Sequence, residues 1–312
     1  MKPLLFSFNG ANNLVEGLLR NARMEVGELE LRQFPDGESY VRLVTPAEHR
    51  DVVLLCSLDR PDAKTIPLLL AADAARAQGA RSVGLVAPYL AYMRQDRMFK
   101  PGEAVSSVTF ARLLSQQFDW LVTVDPHLHR YPCLDTIYSI PAIAASAAAP
   151  IARWIRSNIG QPFLIGPDTE SRQWVEQIAR LAKAPSTVFA KTRSGDFEVS
   201  IEDTEAPIPP RATPVIVDDI ASSARTLIEA IHVLKARGHP HPAPVCIVLH
   251  PLFAGDAYQQ LVEAGPARII STNTVQHLSN GIDISGPVTS AIKKILDARR
   301  SANSAEPIRT SM

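Results

Sequence analysis

The chain has 312 residues, 46% of them hydrophobic, which is enough for a large core and for about two domains of ~150 residues each. Lys plus Arg and Asp plus Glu both number 32, so the formal net charge is zero and nothing points to a nucleic-acid footprint or an anionic membrane partner. No apolar run approaches the ~20 residues that span a bilayer, no basic stretch with an apolar core opens the chain, and Cys56, Cys133 and Cys246 stand isolated; a reducing cytoplasm is the expected setting.

In chain order, residues 28–33 and 40–44 alternate like the arms of a hairpin around the turn Phe34-Pro35-Asp36-Gly37-Glu38. An aromatic beside acceptors in such a turn can stack on a base and read its amino edge, or the ring can simply pack inward. Residues 51–56 read as a buried strand, 65–78 as a helix ended by Gly79, and 81–90 as the next strand. Tyr92-Met93-Arg94-Gln95-Asp96-Arg97 follows that strand; its guanidinium groups suit bidentate phosphate contacts, and a solvated loop is the plain alternative. Strand 120–124 leads into Asp125-Pro126-His127, and strand 162–165 into Gly166-Pro167-Asp168. His127 and His129 lack further ligands at structural-zinc spacing, so a role for His127 beside a phosphate-bound Mg²⁺ fits better, with a strand-end cap as the alternative.

The Ala/Pro-rich stretch 140–150 is the expected domain junction. Residues 187–190 precede the basic loop Lys191-Thr192-Arg193-Ser194-Gly195-Asp196, after which strand-like alternation resumes over 197–201. That loop fits a clamp over phosphates, or a hairpin turn with Gly195 at positive φ. The proline-rich stretch 203–214 predicts a rigid connection, and 301–312 a disordered tail.

The most informative segment comes next. Residues 214–217 form a short β-branched strand ending in Asp218 and Asp219; Ser222, Ser223 and Ala224 follow, then Arg225, Thr226 and a helix over 226–237 ended by Gly238. Such a loop offers unpaired N–H groups and a helix N-terminus to a phosphate, with hydroxyls of Ser222, Ser223 and Thr226 as added donors. Two carboxylates would repel that phosphate, but they suit sugar hydroxyls or a cation. A phosphorylated sugar satisfies both halves, against the plainer reading of Asp218 and Asp219 as helix caps. Strand, loop, helix, Gly and strand recur at 51–90 and 214–253, an internal repeat that predicts tandem α/β domains with mostly parallel sheets flanked by helices. The motif clusters fall after strands, where such sheets bind ligands.

Taken together, the segments resemble the ribose-phosphate pyrophosphokinase family from Phe34 to about Leu296. The matched order is F-P-D-G-E at Phe34, Y-x-R-Q-D-R at Tyr92, D-P-H at Asp125, G-P-D at Gly166, K-T-R-S-G-D at Lys191 and V-D-D-I at Val217. Phe99-x-x-Gly102-Glu103 and the K-T-R loop look like the branch found in archaea and some bacteria. The resemblance implies two phosphoribosyltransferase-type domains, 1–145 on the ATP side and 146–296 on the ribose 5-phosphate side, with 297–312 as a tail. It implies MgATP and ribose 5-phosphate as substrates, Mg²⁺ as cofactor, and a homo-oligomer built from dimers, up to a hexamer.

Carried over by position, Phe34, Asp36, Gly37 and Glu38 would hold adenine across a subunit boundary, and Arg94, Gln95, Asp96 and His127 would also contact ATP. His127 and Asp168 would stand at the metal–phosphate site, with Asp168 on the sugar side. Lys191 and Arg193 would be the catalytic pair. Asp218, Asp219 and Ser222, Ser223, Ala224, Arg225 and Thr226 would hold ribose 5-phosphate. Two positions depart from the family: Arg225 stands where a Gly is usual, and Thr169-Glu170-Ser171-Arg172 replaces a Gly-containing turn. Both bear on the sugar phosphate accepted. A phosphoribosyltransferase would use the same sugar-phosphate loop without needing the duplicated unit. A non-catalytic regulatory subunit would have no reason to keep Lys191, Arg193, His127 and Asp168.

Overall fold

The computed structural model describes residues 1–8, 13–128, 130–194, 198–202, 208–237 and 241–305, with the backbone alone for 190–194, 198–202 and 303–305. It divides into two compact units, residues 1–145 with 285–312, and residues 146–284.

The first unit runs β1 (Leu4–Ser7), α1 (Asn13–Ala22), β2 (Glu25–Val26), β3 (Leu29–Gln33), β4 (Ser39–Leu43), β5 (Asp51–Leu55), α2 (Pro61–Ala77), β6 (Ser82–Ala87), α3 (Ser106–Gln117), β7 (Trp120–Val124) and β8 (Ala142–Ala145). Six of these strands form one sheet in the order β2-β1-β5-β6-β7-β8, every pairing parallel. Its central strands β5, β6 and β7 are buried along their whole length, as a parallel sheet covered on both faces requires of its near-continuous apolar runs. Strands β3 and β4 stand apart as an antiparallel hairpin.

The second unit runs α4 (Ala148–Asn158), β9 (Pro162–Gly166), α5 (Arg172–Ala182), β10 (Ser186–Val188), β11 (Ala190–Ser194), β12 (Glu198–Glu202), β13 (Thr213–Ala221), α6 (Arg225–Ala236), β14 (Val245–Pro251), α7 (Ala257–Glu263), β15 (Arg268–Thr272) and β16 (Asn280–Ile282). Its sheet has the order β10-β9-β13-β14-β15-β16, again all parallel, and β11 and β12 pair separately as an antiparallel hairpin. Ranked within their own units, the strands of both sheets run second, first, third, fourth, fifth, sixth, and both hairpins are inserted between the second and third. The repeat read at 51–90 and 214–253 is therefore the third strand, helix and fourth strand of a unit that is duplicated entire.

The last helix, α8 (Ser285–Ala305), belongs to the first unit. It buries Val288, Ile292, Ile295 and Leu296. Lys293 donates to the Asn21 carbonyl at 3.0 Å, Arg299 to the Asp119 carbonyl at 3.1 Å, and Arg300 to the Asp51 carboxylate at 3.3 Å. The expected division put 146–296 in the second domain and 297–312 in a tail; the structure instead returns 285–305 to the first unit as one helix, because its apolar stripe is covered there.

Two boundaries also differ from expectation. Helix α2 starts at Pro61 rather than 65, since proline at the first helical position gives up an N–H that would have no partner anyway. Strand β13 runs to Ala221, paired with β14 as far as Pro251, so Asp218 and Asp219 lie inside the strand instead of ending it. His129, Gly195, Asp196, Phe197, residues 203–207 of the proline-rich stretch, Gly238 and the tail from 306 lie outside the described residues.

Candidate active site

In the second unit, Asp168 and the Asp218–Thr226 segment gather at the carboxyl ends of β9 and β13, the adjacent first and third strands of the sheet. At the end of β13 the chain passes Ala221, Ser222 and Ser223 and enters α6 through Ala224, which is buried and left-handed with φ 56° and ψ 6°. The loop is braced from behind: Leu252 and Phe253 donate their amides to the Ala221 carbonyl at 3.0 and 2.9 Å, and Ala254 donates to the Ser222 carbonyl at 2.9 Å. Ala224 has no side chain that can cap, so the first N–H groups of α6 keep the anion-binding character of a helix N-terminus.

Arg225 is the first residue of α6 and is exposed. Its φ is not positive, so the backbone at this position makes no demand for glycine; the left-handed residue is Ala224. The Arg225 guanidinium makes no hydrogen bond or ion pair among the described residues. Asp218 accepts the Asp219 amide through Oδ1 at 3.0 Å, and both carboxylates are half-buried.

At the end of β9, Ser171 donates its amide to Asp168 Oδ1 at 3.0 Å and its hydroxyl to the Asp168 carbonyl at 2.6 Å. That closure depends on Gly166, where an added Cβ would lie 2.4 Å from Ser171 Oγ. The Thr169–Ser171 turn that replaces the family's glycine turn is thus a single 3₁₀ turn capped by Asp168, with Glu170 exposed. Phe189 is fully buried and donates its amide to the Gly166 carbonyl at 2.9 Å, anchoring the root of β11. Lys191 and Arg193 lie on β11, opposite Ile201 and Val199 of β12. Only their backbone is described.

In the first unit, the turn between β3 and β4 is closed by Gly37 N–H to the Phe34 carbonyl at 2.9 Å and Phe34 N–H to the Glu38 carbonyl at 2.8 Å. Gly37 has φ 94°, a conformation that strains any other residue, and Asp36 Oδ1 accepts the Glu38 amide at 3.2 Å. Phe34 is 41% exposed, so the inward-packed alternative does not hold.

After β6, Ala91 and Met93 are buried and Arg94 between them and Gln95 is exposed. Gln95 donates to Glu103 Oε2 at 3.1 Å, and Phe99 and Lys100 donate their amides to the same oxygen at 2.8 and 2.9 Å. Those amide donors hold the Glu103 carboxyl below the ordinary carboxylate range. The Asp96 carboxylate is only 6% exposed and pairs with Arg130 at 3.2 Å; Tyr131 donates its hydroxyl to the Asp96 carbonyl at 3.0 Å. Through Arg130 and Tyr131, the loop carrying Arg94 and Gln95 is held to the loop carrying His127. Asp96 faces that clamp, while Arg94 faces solvent.

Residues 3–117 match the N-terminal domain of ribose phosphate pyrophosphokinase, and residues 134–284 match the phosphoribosyl transferase domain. Ribose-phosphate pyrophosphokinase from Methanopyrus kandleri is 33% identical over 274 residues, 87% of this chain and 92% of the relative. The chain belongs to the ribose-phosphate pyrophosphokinase family. The Saccharolobus solfataricus member is 32% identical, covering 87% of this chain and 93% of the relative. The fold is that of the crystallised phosphoribosylpyrophosphate synthetase from Mycobacterium smegmatis, with a TM-score of 0.79 at 22% identity, covering 95% of this chain and all of the other.

Among the described residues no group of three or more His, Cys, Asp or Glu could hold a metal ion as a protein cage. Family Mg²⁺ chemistry does not need one, since Mg²⁺ is commonly held by one or two carboxylates and substrate phosphates. Asp168, with its orientation set by Ser171, fits that donor class.

Sequence reasoning missed Arg130, Tyr131, Arg32, Tyr40 and Phe189. Arg130 and Tyr131 follow the D-P-H segment without a motif of their own. Arg32 and Tyr40 carry a period-two signal, because they share one face of a hairpin already expected.

Proposed function

We propose that this chain catalyses diphosphoryl transfer from MgATP to ribose 5-phosphate, giving phosphoribosyl pyrophosphate and AMP. The observation that carries the reading is the β13–α6 loop, where paired carboxylates and a braced helix N-terminus meet a guanidinium with no described partner. The 5-phosphate binds the N–H groups entering α6, the hydroxyls of Ser222, Ser223 and Thr226, and Arg225. Asp218 and Asp219 accept from the ribose hydroxyls and so orient O1. O1 gives up its proton to solvent and forms a bond to the β-phosphorus of ATP as the bond from that phosphorus to the α,β-bridging oxygen breaks, and AMP carries that oxygen away.

Such chemistry asks for alignment and charge neutralisation more than covalent help. Lys191 and Arg193 supply cationic charge to the transferring group. His127 and Asp168 are each of the donor class that meets a phosphate-bound Mg²⁺, which would neutralise further charge on the diphosphate. Phe34 stacks on adenine, with Asp36, Gly37 and Glu38 reading its edge across a subunit boundary, and Arg94 and Gln95 contact the nucleotide. A site completed across a subunit boundary calls for a homo-oligomer, built from dimers, and the isolated cysteines suit a cytoplasmic setting. The sequence departures are compatible with the same substrate: Arg225 adds a cation without requiring a special backbone, and Glu170 is an exposed residue of its turn.

The test is incubation with MgATP and a panel of pentose phosphates while AMP is followed. AMP release dependent on ribose 5-phosphate is expected. Consumption of phosphoribosyl pyrophosphate with a free base would make the protein a phosphoribosyltransferase instead, and neither signal would leave a non-catalytic subunit.

A further inference from the structure

The hairpin β3–β4 carries on one face a chain of side chains that the family motif does not include. Glu30 pairs across the hairpin with Arg42, and Arg32 with Tyr40. Glu30 contacts the Arg42 guanidinium at 3.5 Å and that of Arg32 at 3.9 Å. The Arg32 guanidinium lies over the Tyr40 ring, 3.9 Å from its centroid, and also over the Phe34 ring at 4.7 Å. The two rings meet edge to face at 6.1 Å, with an interplanar angle of 88°. Residues 30, 32 and 34 fall on the same face by the two-residue period of a strand, so the row ends on Phe34. Phe34 is the exposed ring at the tip, and its own turn holds only its backbone.

We propose that Arg32 is a positioning residue for the nucleotide site, fixing the ring plane of Phe34 so that its other face is presented to the adenine base. The inference rests on the reading of Phe34 as the base-stacking residue. An exposed phenylalanine otherwise samples several rotamers, and stacking on a base requires one of them. A guanidinium on one ring face selects that rotamer and leaves the opposite face open. Glu30 keeps the guanidinium on the hairpin, and Tyr40 forms its floor.

The test is steady-state kinetics of the full chain with Phe34→Ala, Arg32→Met, Arg32→Lys, Tyr40→Leu and the double variant Arg32→Met/Phe34→Ala. Arg32→Met is expected to raise KM for ATP about two- to fivefold, the size of an exposed cation–π contact, with kcat, KM for ribose 5-phosphate and the unfolding temperature unchanged. Arg32→Lys should recover most of the loss, because an ammonium also binds a ring face. Tyr40→Leu, which keeps the cation but removes its floor, should act like Arg32→Met. In the Phe34→Ala background Arg32→Met should add nothing. Additive effects in the double variant would mean that Arg32 touches the nucleotide by itself, and would overturn the proposal. If Phe34→Ala raises KM while Arg32→Met does not, the proposal fails and the reading of Phe34 stands. If Phe34→Ala leaves KM unchanged, both fail.

Discussion

The amide of Phe253 donates to the carbonyl of Ala221 at 2.9 Å, joining the exit of β14 to the loop proposed to receive the sugar phosphate. The Phe253 ring is buried in the same core as Ala224 and packs against Tyr258 and His277, with centroids 5.2 and 4.8 Å away. The loop is therefore held both by main-chain bonds and by the packing beneath its left-handed residue. Preorganisation of this kind lets N–H groups face a phosphate without rearranging when it arrives.

Ala224 gives the sharpest test of that brace. A β-branched side chain is strained at φ 56° and would also crowd the core around Leu227 and Phe253. Ala224→Val should cost about 2–4 kcal/mol in urea unfolding and raise KM for ribose 5-phosphate, while Ala224→Gly should stay within about 1 kcal/mol of wild type. Equal stability of the two variants would show that the left-handed conformation is not required.

Arg225 separates a gripping from a blocking side chain. Because the residue is exposed, has an ordinary φ and makes no described bond, its guanidinium is available to a phosphate. Arg225→Gly should raise KM for ribose 5-phosphate by the equivalent of roughly 1.5–3 kcal/mol, the scale of a hydrogen bond to a charged group. A fall in KM would mean that the arginine obstructs the site.

Lys191→Ala and Arg193→Ala should each lower kcat by the equivalent of about 2.7–4 kcal/mol, as loss of a preorganised transition-state donor does. ATP affinity, read by equilibrium titration of the inactive variants, should stay close to wild type. Near-normal turnover in both would return β11–β12 to the status of a plain hairpin.

Acid stability should depend on Asp51. Burial pushes its carboxyl up, but hydrogen bonds from Arg81 and Ser82, the Arg81 charge and a bond from Arg300 outweigh burial and hold it below its ordinary value of 3.8. A folded pKa below the unfolded one contributes stability that is fully present above the unfolded value and lost as pH falls through the folded value. Asp51→Asn should thus cost about 1–3 kcal/mol near neutral pH, and the gap to wild type should close as pH falls below the unfolded value and through the lower folded one. Unfolding of both proteins across that range checks the sign; a gap that widens in acid would contradict it. Because Arg300 reaches Asp51 from α8, the variant should also loosen that helix, visible as faster amide exchange over 296–302.

The amino-acid sequence by itself determined the α/β class, the repeat of strand, helix and strand, and the family. Those depend on local patterns: the apolar run 51–56, Gly79 after its helix, and motif residues such as Phe34 and Asp218 that stand contiguous in the chain. The sequence also placed Arg94, His127 and Asp168 after strands, where parallel sheets leave room for ligand groups.

Only the tertiary structure decided what depends on contacts between distant segments. The return of α8 to the first unit rests on the burial of Val288, Ile292, Ile295 and Leu296, to which Arg299 and Arg300 add bonds to Asp119 and Asp51, far away in the chain. The continuation of β13 through Asp218 and Asp219 follows from its pairing with β14, which no local propensity of two aspartates predicts. Asp96 looks like a ligand group in its motif, yet its carboxylate is taken up by Arg130, and Arg225 looks like a broken glycine until the left-handed residue proves to be Ala224. In each case a residue's neighbour in space, rather than its neighbour in sequence, sets the free energy of its conformation.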